Sequence, residues 1–170
     1  MSINLFFVVV LSLLSGMFIY FKPIIFNDEI KTEVPKFELE SFKIYEISTL
    51  GIDRFFEGDH GKRFEDRYEV SSAKFSNNSK TLFESISADE ALYKDDIIDL
   101  EGNVHYVRAD GLQFRSSEGK YDTPRSLVST RGDFVITQSS NKVNGTQLRL
   151  NTQYHMVSAN AVSGSYQLDQ

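Results

Sequence analysis

The feature that most constrains this chain is an alternation of apolar and polar residues in its second half. From Ile98 to Tyr106 every second residue is apolar or glycine, and every intervening residue is polar or charged. Side chains two residues apart lie on the same face of a β-strand, whereas an amphipathic helix repeats near every 3.6 residues. The segment 97–107 is therefore predicted to be a strand with one buried face.

Turn signals separate further segments of the same kind and extend the prediction to an all-β domain. Asp110-Gly111 predicts a hairpin, and further turns are expected near Glu118-Gly119 and from Asn141 to Gly145. The other predicted strands are 42–49, 66–75, 80–91, 126–138 with an interruption at Gly132, 146–150 and 153–158. Such a series favours an antiparallel sandwich or roll built from stacked hairpins.

Two parts of the chain echo each other. Residues 100–106 line up with 130–136, and residues 111–114 line up with 145–148. The alignment predicts a repeated hairpin unit of about 30 to 35 residues.

The N-terminus has a different composition, because its first 21 residues include no Asp, Glu, Lys or Arg. A helix from Ser2 to Phe21, rising about 1.5 Å per residue, matches a hydrocarbon core of roughly 30 Å. A cleaved signal peptide fits less well, because no basic residue precedes the apolar run and bulky residues fill 18–21, where cleavage needs small ones. We therefore expect a single-pass anchor over 1–26, a linker over 27–36 and one domain over 37–170 on the non-cytoplasmic side of the membrane.

Composition argues against several classes of protein. The chain has no cysteine, which rules out disulfides, thiolate metal sites, a cysteine nucleophile and a lipid-modified cysteine. Its formal net charge is −6, and it has no basic stripe interleaved with aromatic residues, so we do not expect nucleic acid as a partner.

The sequence also offers no catalytic or metal-binding constellation. It contains no Gly-x-Ser-x-Gly motif, and His60, His105 and His155 lack metal-ligand spacing. The carboxylates between Asp89 and Glu101 lack the loop spacing of a calcium site, and we interpret them as a charged sheet edge that discourages stray strand pairing. No enzymatic activity, metal or cofactor is expected.

Several short motifs resemble those of a known family. They are Leu100-Glu101-Gly102-Asn103-Val104, Gly111-Leu112-Gln113-Phe114-Arg115-Ser116, Tyr121-Asp122, Gly132-Asp133-Phe134-Val135-Ile136 and Val143-Asn144-Gly145-Thr146-Gln147-Leu148. Together with the lone anchor, they resemble the LptA/LptC-like family of lipopolysaccharide-export proteins over the anchor and residues 66–166.

The resemblance implies an elongated, open, V-shaped antiparallel β-jellyroll in the bacterial periplasm, held by one helix in the inner membrane. It implies lipopolysaccharide transport: an inner-membrane ABC transporter supplies the lipid, and the domain passes it through an apolar groove to the soluble bridge protein LptA. The candidate groove lining is Ile98, Leu100, Val104, Tyr106, Leu112, Phe114, Tyr121, Phe134, Ile136, Leu148, Leu150, Tyr154 and Met156.

Other expectations concern the sheet edges and the glycines. A C-terminal segment without charge or proline is expected to pair with the bridge protein through Val157, Ala159, Ala161, Val162 and Tyr166. Gly102 and Gly132 are expected to relieve crowding or form bulges, and Gly145 to serve a turn.

Alternation alone supports a closed sandwich core equally well. The alternative function is a membrane-anchored scaffold or regulator of an envelope transporter that does not bind lipid. A polysaccharide-processing enzyme is disfavoured by the absence of an acid, base or nucleophile cluster.

Overall fold

The computed structural model describes residues 34–49 and 51–167. The predicted anchor over 1–26 and most of the predicted linker over 27–36 lie outside these residues. Within the described ranges, no helix has the length and apolar character needed to cross a membrane.

The described residues form one antiparallel sheet in which the strand order follows the chain. Its strands are β1 (Phe37–Ser48), β2 (Gly51–Arg63), β3 (Arg67–Asn77), β4 (Glu84–Lys94), β5 (Ile97–Arg108), β6 (Gln113–Asp122), β7 (Leu127–Ser129), β8 (Asp133–Gln138), β9 (Asn141–Asn151) and β10 (Met156–Ser165). Strands β7 and β8 share one position, because both pair with β6 on one side and β9 on the other. The prediction of an all-β, antiparallel fold is confirmed, and the architecture is consistent with a jellyroll.

A line of irregular pairing crosses the sheet near the middle of the long strands, and we call it the corner. Ser41, Ser72, Asn103, Gln147 and Ala161 lie on it in the interiors of strands, each with a positive φ between 47° and 53°. The strand structure between β7 and β8 is interrupted at the same line. Left-handed residues inside a strand bend it, and a β-bulge accompanies the bend in β5 and β10. The corner thus divides the sheet into a first half-sheet, which contains β7, and a second half-sheet, which contains β8.

The phase of the side chains switches at the corner. Phe42 pairs with Gly58, and Leu39, three residues earlier, pairs with Gly61. Directly paired residues share a face of the sheet, and both glycines are buried. We call this buried face the inner face. Apolar residues of both half-sheets lie on it, but Leu39 and Phe42 are three residues apart and therefore do not follow a two-residue period.

The first of the two sequence echoes corresponds to equivalent positions in the sheet. Tyr106 and Ile136, which the echo aligns, both pair with Phe114 from opposite sides. The second echo is wrong, because Phe114 lies in the second half-sheet and Leu148 in the first. The second echo requires a longer connection after residue 136 than after residue 106, whereas the hairpin after β8 has the shorter loop.

Two segments that the sequence predicts as turns belong to strands instead. The chain turns at Ser139 and Ser140, so that Gln138 pairs with Asn141, and Gly145 lies within β9. Glu118 and Gly119 belong to the continuous strand β6 where it crosses the corner. At both places a glycine that permits a bend within a strand was interpreted as a reversal of the chain.

Other differences concern the first half of the sequence. Strand β2 was not predicted, and β4 begins at Glu84 rather than at residue 80. The acidic stretch between Asp89 and Glu101 does not form an edge, because it belongs to β4 and β5 in the middle of the sheet. The edges are instead β1 and β10.

Candidate functional site

The inner face next to the corner is a narrow packed core. Val104 and Phe134 are each only 2% exposed, and Val70, Ala88 and Leu148 are also buried. This strip draws side chains from both half-sheets.

The core contains a polar group that is satisfied internally. Thr130 is buried, and the backbone N–H of Leu148 donates to its Oγ1 at 3.1 Å. A buried hydroxyl with a partner of this kind carries no large desolvation penalty.

Burial on the inner face decreases with distance from the corner. In the second half-sheet, Tyr106, Phe114 and Ile136 are only half-buried. In the first half-sheet, Tyr68 is 44% exposed and Tyr93 is 40% exposed. Inward side chains of two sheets packed face to face normally interdigitate into a closed core, so a partly exposed apolar surface on both sides of a buried strip departs from a closed sandwich.

The structure brings most of the predicted groove residues to this inner face. Strand pairing connects Tyr106, Phe114 and Ile136 in one cross-strand row, and the rings of Phe114 and Phe134 stack with centroids 6.3 Å apart. Leu112 lies half-buried at the end of the hairpin in the phase of Phe114. The remaining candidates on this face are Ile98, Leu100, Val104, Tyr121, Leu148 and Leu150.

Tyr154 and Met156 do not join the other candidates. Tyr154 lies in the turn before β10, where its N–H donates to Asn151 Oδ1 at 2.9 Å. Met156 pairs with Asn151 and is 68% exposed, whereas Leu150 pairs with Val157. The strand begins one residue out of the expected phase, so Val157 occupies the inner position that was assigned to Met156.

Sequence reasoning missed much of the inner face contributed by the first four strands. Phe56, Phe75 and Ile86 pair in succession and continue the row of Tyr106. Phe42 lies beside them, with its ring edge-on to Phe56 at a centroid distance of 5.6 Å. The adjacent phenylalanines Phe55 and Phe56 point to opposite faces, so alternation in this segment gave no clear phase.

The apolar surface of the second half-sheet ends at a polar network. Glu84 accepts hydrogen bonds from Tyr106 Oη at 3.0 Å and Asn77 Nδ2 at 3.3 Å, and it forms an ion pair with Lys80 at 2.6 Å. Burial alone raises the pKa of Glu84, but these partners outweigh it and hold the pKa below its ordinary value. Burial, together with the bond to Glu84, raises the pKa of Tyr106 to about 12. At neutral pH Glu84 is therefore ionised and Tyr106 is neutral. The two groups mark a boundary between apolar and charged surface.

The predicted partner edge lies at one end of the sheet. Strand β10 contains Val157, Ala159, Ala161 and Val162, and it pairs only with β9. Tyr166 follows the strand and is exposed. In the part of the chain that the structure describes, the outer side of β10 has no strand partner.

The three glycines that the sequence predicts to have structural roles all lie close to neighbouring side chains. Gly102 has φ +73°, and an added Cβ would collide with the Asp89 side chain. At Gly145 an added Cβ would lie 2.8 Å from Phe134 Cζ, and at Gly132 it would lie 3.3 Å from Ser117 Oγ. Gly102 and Gly145 thus allow close approach of a neighbouring side chain.

Comparison with known proteins identifies the family of the chain. The family model described as LptC, "Lipopolysaccharide-assembly, LptC-related", matches residues 7–167. No curated protein matches. Because the family match covers nearly the whole chain, including every strand of the sheet, the chain belongs to the LptC-related family of lipopolysaccharide-assembly proteins.

Proposed function

We propose that this chain carries lipopolysaccharide by holding its acyl chains against the inner face of the sheet. The observation that carries the proposal is the decrease of burial away from the corner. It leaves half-exposed Phe114, Ile136, Leu100 and Ile98 on either side of a packed strip, as expected for an apolar groove that a lipid covers.

The energetics fit a carrier that must also release its cargo. Each buried methylene contributes about 0.8 kcal/mol, so an acyl chain gains enough to leave water. A groove that covers the chain on one side only buries less of it than a closed cavity, which keeps the next transfer reversible. The half-buried rows on both half-sheets are suited to this intermediate affinity.

The proposed route runs from an inner-membrane ABC transporter to the soluble bridge protein LptA. Residues 1–26 hold the chain in the inner membrane, and the sheet lies in the periplasm as an elongated, open jellyroll. LptA adds a strand to β10, so that two grooves of the same fold join. The unpaired outer side of β10 supports this step, because an exposed strand edge is a template for another strand.

Site-specific crosslinking in cells tests the groove. A photoreactive residue in place of Phe114 or Leu148 is expected to capture lipopolysaccharide. The same residue in place of Gln113 or Arg149 should not, because pairing puts these neighbours on the opposite face.

Two results would contradict the groove. Equal capture from both faces would mean that lipid contact is not confined to the inner face. Capture from neither face, by a chain that still binds its partners, would favour a scaffold that does not bind lipid.

A further inference from the structure

An exposed aromatic pair lies at the margin of the first half-sheet, in the row farthest from the corner. Tyr68 on β3 pairs directly with Tyr93 on β4, and their ring centroids are 6.1 Å apart. Tyr93 in turn pairs with Ile98, and Ile98 with Tyr121. The two exposed rings therefore continue the apolar inner face up to its rim.

A cation accompanies this pair. The guanidinium of Arg63 lies over the Tyr68 ring, 5.4 Å from its centroid. Its neighbour Lys94, by contrast, forms an ion pair with Asp66. Among the described residues no carboxylate forms an ion pair with Arg63, so its charge is available to an anion.

The carboxylate of Asp96, a hydrogen-bond acceptor, lies beside the tyrosine pair. The Tyr93 hydroxyl donates to Asp96 Oδ1 at 2.8 Å, and this bond raises the pKa of Tyr93 above its ordinary value. The rim thus combines two partly exposed aromatic rings, a guanidinium that forms no ion pair among the described residues, and a carboxylate bound to one of the rings.

These groups match the chemistry of an anionic sugar. One face of a pyranose ring presents C–H groups and stacks on an aromatic ring, while its hydroxyls donate to carboxylates. A phosphate or acid group on the sugar is bound well by a guanidinium. A diacyl phospholipid supplies the phosphate and the acyl chains but no ring to stack.

We propose that Tyr68, Tyr93 and Arg63 form a subsite for the anionic sugar of a glycolipid whose acyl chains lie deeper against the inner face. This inference rests on the proposed lipid-carrier function and adds selectivity to it. The rings hold the sugar at the rim, so the carrier prefers a phosphorylated glycolipid to a phospholipid with the same charge.

Binding of a sugar without acyl chains tests the subsite independently of the groove. The probe is fully deacylated lipopolysaccharide that retains its phosphates, titrated into the full chain in detergent micelles and followed by saturation-transfer NMR. The double variant Tyr68→Leu/Tyr93→Leu should weaken binding about tenfold, because it removes both ring faces while keeping apolar side chains. The double variant Tyr68→Phe/Tyr93→Phe keeps the rings and should retain binding.

Two further variants serve as controls. Tyr45→Leu removes an exposed tyrosine that lies outside the rim row and should leave binding unchanged. Arg63→Gln should weaken binding of the phosphorylated saccharide but not of its dephosphorylated form. Since Arg63 is exposed, this variant keeps the test valid even if the leucine variant fails to fold.

The outcomes separate this inference from the proposed function. Unchanged saccharide binding by a folded leucine variant, or no binding by the parent chain, would overturn the sugar subsite. If crosslinking from Phe114 still captured lipid in that case, the lipid-carrier proposal would stand. Loss of lipid capture from Phe114 as well would overturn both.

Discussion

At the residue scale, phenylalanine rings packed on glycines shape the inner face at the corner. The Phe42 ring lies over Gly58 and Gly61, and the Phe134 ring lies over its direct partner Gly145. A flat ring approaches the backbone of the next strand this closely only where that residue has no Cβ. Each ring thereby covers main chain that a glycine leaves bare.

A matched pair of alanine substitutions tests this packing. Gly145→Ala puts a Cβ within 2.9 Å of two Phe134 ring atoms, and it should lower the free energy of unfolding by about 1–3 kcal/mol because the core is overpacked. Gly119→Ala meets only Val104 Cγ1 at 3.6 Å, an ordinary contact, and should be neutral. Urea denaturation of both variants measures the difference.

Relief of the clash provides a second measurement. Adding Phe134→Ala to Gly145→Ala should cost less than the sum of the two single changes, because the added methyl then has space. Equal stability of Gly145→Ala and the parent chain would show that the ring moves aside without cost.

At the element scale, the two edge strands, β1 and β10, differ from the interior strands in having a strand partner on one side only among the described residues. β10 is the edge strand near the C-terminus, and its Val157 and Val162 are both exposed. Its segment from 157 to 164 carries no charge and no proline. Charged residues and prolines are common means of protecting an edge strand, and β10 uses neither there.

Deletion of residues 157–170 should abolish capture of the bridge protein LptA in a pull-down. The rest of the sheet should remain folded, because β1 to β9 keep their mutual pairing, and a cooperative thermal transition should confirm it. The variant Val162→Lys keeps β10 but adds a charge to the edge, and it should weaken capture at least about tenfold. Normal capture by the folded truncated chain would contradict pairing through β10.

At the scale of the whole molecule, the apolar N-terminus and the sheet have separate roles in the proposed mechanism. The full chain should remain in the membrane fraction after a carbonate wash. A version in which a cleavable signal peptide replaces residues 1–26 should appear in the soluble periplasmic fraction, because the sheet carries most of the charged residues.

The same pair of chains tests whether the anchor also acts on the transporter. If residues 1–26 form a helix that packs against transporter helices through Asn4, Ser12, Ser15 and Gly16, the ATPase rate should change when residues 1–26 are removed. Identical rates with and without them would leave the anchor with a tethering role alone. Recovery of the full chain in the soluble fraction would contradict membrane anchoring itself.

The sequence by itself determined the kind of element and, locally, which residues share a face. Strand β5 was predicted from 97 to 107 and runs from Ile97 to Arg108. The interruption at Gly132 and the equivalence of Tyr106 and Ile136 were also predicted from residue patterns. These features depend on a two-residue period and on turn chemistry, which a single segment contains in full.

Only the tertiary structure decided how the segments combine into one face. In β1 the phase changes by one residue at the corner, so that Leu39 and Phe42 share the inner face, whereas the bulge in β5 keeps Leu100 and Val104 in phase. A shift of one residue moves the side chains that follow to the other face.

Val157 rather than Met156 lies on the inner face because the turn before β10 sets the starting phase of that strand. Phe56 is distinguished from Phe55 only by its partner on the neighbouring strand. Gly145 was likewise predicted to serve a turn, whereas in the structure it makes room for the ring of Phe134 on the neighbouring strand. A contact between two strands cannot be read from the sequence of either strand alone.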